Sequence, residues 1–267
     1  MRFPSRIARF AILAHMIPVG SHPVWHPVFE TLAYASGYGL FRHLRKRMGD
    51  IIEERQRWSV IAAAAVGALL GSRLLGLGEQ WPTVISAFRS DHFWALLTSP
   101  GGKTIVGGLL GGWITVEIVK KLSGIRNRTG DPFVLPLCLG IAIGRLGCFL
   151  AGLADDTYGK PTNLPWGIDF GDGISRHPVQ LYEIVFLIML ALWLSRPASW
   201  PAGARFRIFL AAYLLWRLLI DFLKPQPLLE NLNLIQWACI AGLAALIITF
   251  VFDFRFKHQE MQEQVLG

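Results

Sequence analysis

Seven stretches of this chain are each apolar for about the thickness of a bilayer: residues 27–44, 58–77, 104–119, 132–152, 178–195, 206–223 and 232–252. A helix rises about 1.5 Å per residue, so roughly 20 residues cross a hydrocarbon core about 30 Å thick. In lipid no water is present to satisfy backbone N–H and C=O groups, so such runs are expected to be helices. Only short polar connections separate them. The chain is 53% hydrophobic with a mean hydropathy of +0.43, above the roughly 45–50% apolar content of soluble domains. The expected fold is therefore all-α: a polytopic integral membrane protein of seven transmembrane helices. It divides into an N-terminal lead-in (residues 1–22), a transmembrane domain (23–254) and a cytoplasmic tail (255–267).

The net charge of +8 invites a nucleic-acid reading, but the placement of the charges argues against it. Fifteen Lys and Arg fall in the segments that follow the first, third, fifth and seventh runs or at the run ends that border them (Arg42 and Arg207), and only five (Arg89, Lys103, Lys160, Arg176 and Lys224) fall in the alternate loops. Basic residues accumulate on the cytoplasmic side. The asymmetry puts the C-terminus inside and the N-terminus outside, although Arg2, Arg6 and Arg9 oppose the rule. The segment "RIARFAILAHMIPVG" resembles a shortened secretory signal without a clear cleavage site. A surface-lying amphipathic lead-in is the preferred reading. Trp25, Trp58, Trp81 and Trp200 sit near run ends, as an interfacial belt requires. Cys138, Cys148 and Cys239 are odd in number and lack metal-like spacing, so no metal site is expected.

Three basic residues remain: Arg73, Arg145 and Arg217, inside the second, fourth and sixth runs. A charge at mid-bilayer costs at least about 2.5–3.5 kcal/mol, so each needs a reason. One reading is a water-accessible cavity in which guanidinium forks hold a phospholipid headgroup. The other is internal pairing: Asp221 stands four residues after Arg217, and Glu30, Glu117 and Glu183 lie in or near runs. The two readings are compatible, since a carboxylate can orient an arginine.

Gly140, Gly144, Gly147 and Ala151 make a small-residue stripe on the fourth run, and Gly67/Gly71, Gly107/Gly111 and Gly108/Gly112 repeat the spacing. Such stripes let helix backbones touch in lipid. Gly101–Gly112 also permits a phosphate-cradling turn, though without P-loop or dinucleotide spacing. The loop from Asp155 to Glu183 is rich in turn residues, and its Trp166 and Phe170 suit the interface. A fifth helix is expected from His177, with Pro178 near its first position and Gln180, Tyr182 and Glu183 in its first turns. His177 is the general-base candidate by residue type, or else a helix-start histidine bonded to nearby backbone. His26 and Glu30, four apart, are expected to pair beside the site, or else to be a helix-start histidine and a snorkelling acid.

The motifs "GRLGCFLAG", "YGKPTNLPWGIDF" and "RHPVQLYE" resemble those of the bacterial prolipoprotein diacylglyceryl transferases. The "GSR" ending at Arg73, "GGLLGG" from Gly107, Asp131 before the fourth run, "YLLWRLLIDF" and Gln236 extend the resemblance over roughly 30–252. It implies a multi-pass enzyme of the bacterial inner membrane. Such an enzyme moves the diacylglyceryl group of phosphatidylglycerol to a cysteine thiol in a lipoprotein precursor's signal peptide, releases glycerol phosphate, and uses no cofactor or metal. Its expected partners are these two substrates and the lipid bilayer, with no nucleic acid, and it acts as a monomer. Carried over, the resemblance makes Arg145 and Arg217 catalytic, with His177 as a further candidate. It assigns Arg73, Arg145, Gly107, Gly108, Gly144, Gly147, Gln180, Tyr182, Glu183, Asp131, Asp221, His26 and Glu30 to substrate binding.

The departures are specific. Cys148 replaces the family's usual Asn, Ala151-Gly152-Leu153 replaces Asn-Gly-Glu, and Val106 replaces a frequent His suited to thiol activation. They keep two other readings open: a related enzyme that moves lipid or headgroup to another acceptor, and a non-catalytic phospholipid-binding protein.

Overall fold

A computed structural model describes residues 25–48, 53–89, 102–155, 157–225 and 232–266. The expected lead-in (1–22) and Gly101 lie outside the described residues. A helix occupies each of the seven apolar runs: α1 (Trp25–Met48), α2 (Glu54–Glu79), α4 (Ile105–Leu122), α5 (Val134–Ala151), α6 (Val179–Leu194), α7 (Ala204–Ile220) and α8 (Leu234–Leu266). Among the described residues a further helix, α3 (Trp81–Arg89), follows the second run, and hydropathy does not mark it. Three helical segments, Glu54–Glu79, Asp131–Asp155 and Leu234–Phe252, are long and apolar enough to cross a membrane, and Val179–Leu194 is a shorter apolar helix. The backbone of α8 stays helical to Leu266, so the segment read as a tail from 255 continues the last helix.

The described chain forms two compact units. The first contains α1, α5 and α6. The stripe of α5 packs on α1, where a Cβ on Gly147 would come within 2.6 Å of the Phe29 Cβ and one on Gly140 within 3.4 Å of the Ala33 carbonyl. Gly144 meets nothing within 4 Å and is not part of that seam. At the other end of the pair, Phe41 stacks on Phe133 with centroids 4.6 Å apart.

Asp131 opens a 3-10 turn, Asp131–Phe133, ahead of α5. Its carboxylate accepts the Gly203 N–H at 2.7 Å and the Phe206 N–H at 3.0 Å. It thus serves as a remote cap for the start of α7. Asp131→Ala is expected to lower stability by about 0.5–2 kcal/mol, the usual cost of a lost helix cap. Thermal unfolding in detergent would report that change.

The loop before α6 departs from an all-α chain. Ile168–Asp169 (β1) pairs antiparallel with Ser175–Arg176 (β2). The turn between them is held by Asp169, whose Oδ1 accepts the N–H groups of Gly171, Asp172 and Gly173. Gly171 and Gly173 have φ of 105° and 78°, which favours glycine. Arg176 grips Asp172 through both guanidinium nitrogens, at 2.6 and 2.7 Å. These bonds hold the Asp172 carboxyl below the usual carboxylate range. Phe170 does not face the interface as expected. It is buried against Phe149, with centroids 5.9 Å apart. Trp166 is exposed.

The second unit contains α2, α3, α4, α8 and Leu210–Leu218 of α7. Gly67 and Gly71 of α2 interleave with Gly107 and Gly111 of α4, and a Cβ on any of the four would run into backbone of the facing helix. Thr115 Oγ1 donates across this seam to the Ala63 carbonyl at 2.8 Å. The start of α8 is a capping box: Gln236 N–H donates to Asn233 Oδ1 at 2.7 Å and Asn233 N–H donates to Gln236 Oε1 at 2.9 Å. Gln236 Nε2 also reaches the Leu218 carbonyl at 3.0 Å.

Candidate active site

The first unit places Arg145 in the second half of α5, only 6% exposed. Its Nε lies 2.9 Å from Glu183 Oε2 on α6, and Glu183 is 2% exposed. Two charges this far from water are tolerable because each neutralises the other, and removing either strands its partner. A guanidinium carries five donors on a planar fork. Nη1 points to Cys148 Sγ, one turn along α5, at 4.0 Å.

Cys148 lies in turn 3.9 Å from His26 Nδ1, and that nitrogen is 2.9 Å from Asp155 Oδ1. The path of the chain explains the cluster. α5 ends at Ala151, and Gly152, at φ 62°, turns the chain into a 3-10 segment, Gly152–Asp155. That segment returns Asp155 toward the first residues of α1, which the missing side chain of Gly147 lets approach. Thr157 donates to Asp155 Oδ2, and buried Gln180 donates to Thr157 Oγ1 at 3.3 Å. Gln180 and Glu183, one turn apart on α6, therefore support the two halves of one site.

Two expectations are corrected here. His26 pairs with Asp155 rather than with Glu30, and Glu30 accepts from Tyr34 at 3.3 Å. α6 starts at Val179, so His177 precedes it, and its N–H bonds to the Lys160 carbonyl. The His177 ring lies 3.3 Å from the Tyr182 hydroxyl, which also accepts the Trp166 indole N–H at 2.8 Å. Asp221 lies past the end of α7 and holds Lys224 Nζ at 3.0 Å.

Arg73, Gly107, Gly108 and Arg217 belong to the second unit. Gly107 N–H donates to Thr104 Oγ1 at 3.2 Å, the N-cap of α4, and its Cα hydrogen faces the Gly71 carbonyl. The glycine motif here makes a helix seam. Arg217 is buried on α7.

The family model for prolipoprotein diacylglyceryl transferase matches residues 14–252. The chain belongs to this family. A phosphatidylglycerol–prolipoprotein diacylglyceryl transferase of Geobacter sulfurreducens is 32% identical over 75% of this chain and 77% of its own length. One from Bordetella avium is 28% identical over 89% and 92%, and one from Clostridium tetani 32% identical over 73% and 79%. Membership makes the departures at Val106, Cys148 and Leu153 structural questions about a prolipoprotein diacylglyceryl transferase fold. Val106 is buried in the first turn of α4 and brings no base there. Cys148 and Asp155, by contrast, are wired to His26. The sequence reading passed over Asp155 and Thr157. The available signal was Leu153 in place of an acid, with Asp155 two residues further on.

Proposed function

We propose that this protein transfers the diacylglyceryl group of phosphatidylglycerol to the thiol of a lipobox cysteine in a lipoprotein precursor, releasing glycerol phosphate. Family membership supports the reaction, and one observation carries the site: a buried arginine in the GRxG motif, ion-paired with a buried glutamate. The thiolate attacks the glyceryl carbon, the carbon–oxygen bond to phosphate breaks, and negative charge grows on the departing phosphate. A fixed cation aimed at that charge in a dry site lowers the barrier without reorganising. Arg145 has that role in our reading, and Glu183 positions it. The resemblance gives Arg217 a catalytic role beside Arg145 and assigns Arg73 to lipid binding. His177 and Tyr182 line the approach of the peptide.

The same reading takes the seven apolar helices as spans of the bacterial inner membrane, with the N-terminus outside, the C-terminus in the cytoplasm and a monomer as the working unit. The assay is direct: purified protein, phosphatidylglycerol and a lipobox peptide should yield a thioether-linked diacylglyceryl peptide by mass spectrometry. A peptide with serine for the cysteine should yield none. Glycerol phosphate release without peptide product would redirect the search to another acceptor. Arginine-dependent lipid binding without either product would leave a binding protein.

A further inference from the structure

We propose that His26 and Asp155 form a general-base dyad that takes the proton of the acceptor cysteine at His26 Nε2. The inference rests on the thiol-transfer reading above and names the base that Val106 does not supply.

Sulfur attacks as thiolate, and a cysteine with the ordinary pKa of about 8.5 is mostly protonated at neutral pH. A base must therefore stand near the cation that receives the leaving phosphate. His26 Nδ1 lies 2.9 Å from Asp155 Oδ1. The carboxylate takes the Nδ1 proton, which fixes the tautomer and puts the ring's lone pair on Nε2. It also stabilises the imidazolium that forms when Nε2 accepts a proton. Asp155 is held in its turn: Thr157 donates to its Oδ2, and buried Gln180 donates to Thr157. A base oriented by a third group is the recurring arrangement around an activated nucleophile.

Exposure divides the pair in the same sense. The Asp155 side chain is 10% exposed and that of His26 37%, so a peptide can reach the histidine while the carboxylate stays behind it. Among the described residues, the acceptors that the His26 ring meets, Asp155 Oδ1 and Cys148 Sγ, both lie at Nδ1. Nε2 is the nitrogen left to a substrate, and Cys148, on the occupied side, is not the thiol that loses its proton. Cys148 instead stands between base and cation, with Sγ 3.9 Å from His26 Nδ1 and 4.0 Å from Arg145 Nη1. Nucleophile and leaving oxygen face opposite sides of one carbon in a displacement, so base and cation must be close without touching. His177, the candidate by residue type, meets the Tyr182 hydroxyl at 3.3 Å and, among the described residues, no carboxylate. Under the topology proposed above, the start of α1 and the turn after α5 both lie at the outer face. The signal peptide's cysteine meets the enzyme there.

The step balances without oxidant or reductant. Nε2 takes the S–H proton, the sulfur pair forms the S–C bond, and the C–O bond breaks with its electrons on the phosphate oxygen beside Arg145. The imidazolium then gives its proton to water.

Transfer by full-length protein in detergent, with phosphatidylglycerol and a lipobox peptide from about pH 6 to 9, tests the dyad. The titratable groups that face the ring among the described residues are Asp155 and Cys148. His26→Ala should lower the rate about 10²–10⁴-fold at neutral pH. The loss should shrink as pH rises to about 8.5, where the acceptor thiol ionises unaided. Asp155→Asn, which keeps the imidazole, should lose less and follow the same trend. A peptide with selenocysteine at the acceptor position, whose selenol is already ionised at neutral pH, should restore most of the His26→Ala rate. His26→Gln, closer in size, gives the same comparison should the alanine variant fail to fold. A loss constant across pH with no rescue by selenocysteine would mark a merely structural histidine and overturn the proposal, as would undiminished transfer in His26→Ala. Wild-type protein that makes no thioether product would instead overturn the activity.

Discussion

Exchanging Arg145 and Glu183 together for glutamine is expected to cut diacylglyceryl transfer by at least 100-fold while the protein stays folded. Loss of one preorganised donor to developing negative charge costs about 10²–10³ in kcat, and Arg145 offers several donors plus a full charge. The double exchange is the informative variant. Arg145→Ala alone takes the neutralising charge from Glu183, 2% exposed, and breaking a buried pair costs about 3–5 kcal/mol, which would mix misfolding with lost catalysis. Two neutral amides of similar shape remove both charges at once. Arg145→Lys keeps the charge but not the fork, so it should recover part of the rate at most. Glu183→Gln should lower kcat while leaving the charge for lipid binding in place, since it releases the guanidinium from its anchor at Nε. The measurement is product formation by mass, alongside a melting curve for each variant. A double variant with transfer near the wild-type rate would remove Arg145 from the mechanism.

The second large effect is on stability. Gly107→Ala should destabilise the protein and Gly108→Ala should not. At Gly107 a new Cβ meets the Gly71 carbonyl, backbone that cannot swing aside. At Gly108 the nearest atom would be the Ala68 carbonyl oxygen at 3.6 Å, an ordinary contact. Alanine itself favours a helix over glycine by about 1 kcal/mol. Overpacking costs about 1–3 kcal/mol, and rigid backbone on both sides puts Gly107 at the upper end or beyond. The net is a lower melting temperature for Gly107→Ala and an equal or higher one for Gly108→Ala. If Gly108→Ala also transfers lipid normally, the glycine motif of α4 serves packing. If it melts normally but fails to transfer, the motif touches substrate.

The glycines show how a pattern can be legible while its use is not. Small residues four apart announce that a helix will be approached closely, and α2 and α4 do meet along them. The same spacing put Gly144 in the stripe of α5, where it meets nothing. Periodicity places a residue on a face and says nothing of what that face meets. The histidines teach the same lesson. Local spacing offered Glu30 to His26, but a partner four residues away competes with every carboxylate the fold delivers, and Asp155 won by arriving at 2.9 Å.

By itself the amino-acid order determined where the seven apolar helices lie, though not α3 or the extension of α8, and that Arg73, Arg145 and Arg217 sit within them. Helix length and burial of charge are set by the chain's local composition against the thickness of a bilayer, and need no knowledge of neighbours. Its motifs also sufficed to determine the family. Only the tertiary structure decided that Glu183 anchors Arg145, that Asp131 caps α7, and that His26, Cys148 and Asp155 converge. Those depend on the turn at Gly152 and on how closely α1 settles against Gly147, distances between segments that a one-dimensional pattern does not contain.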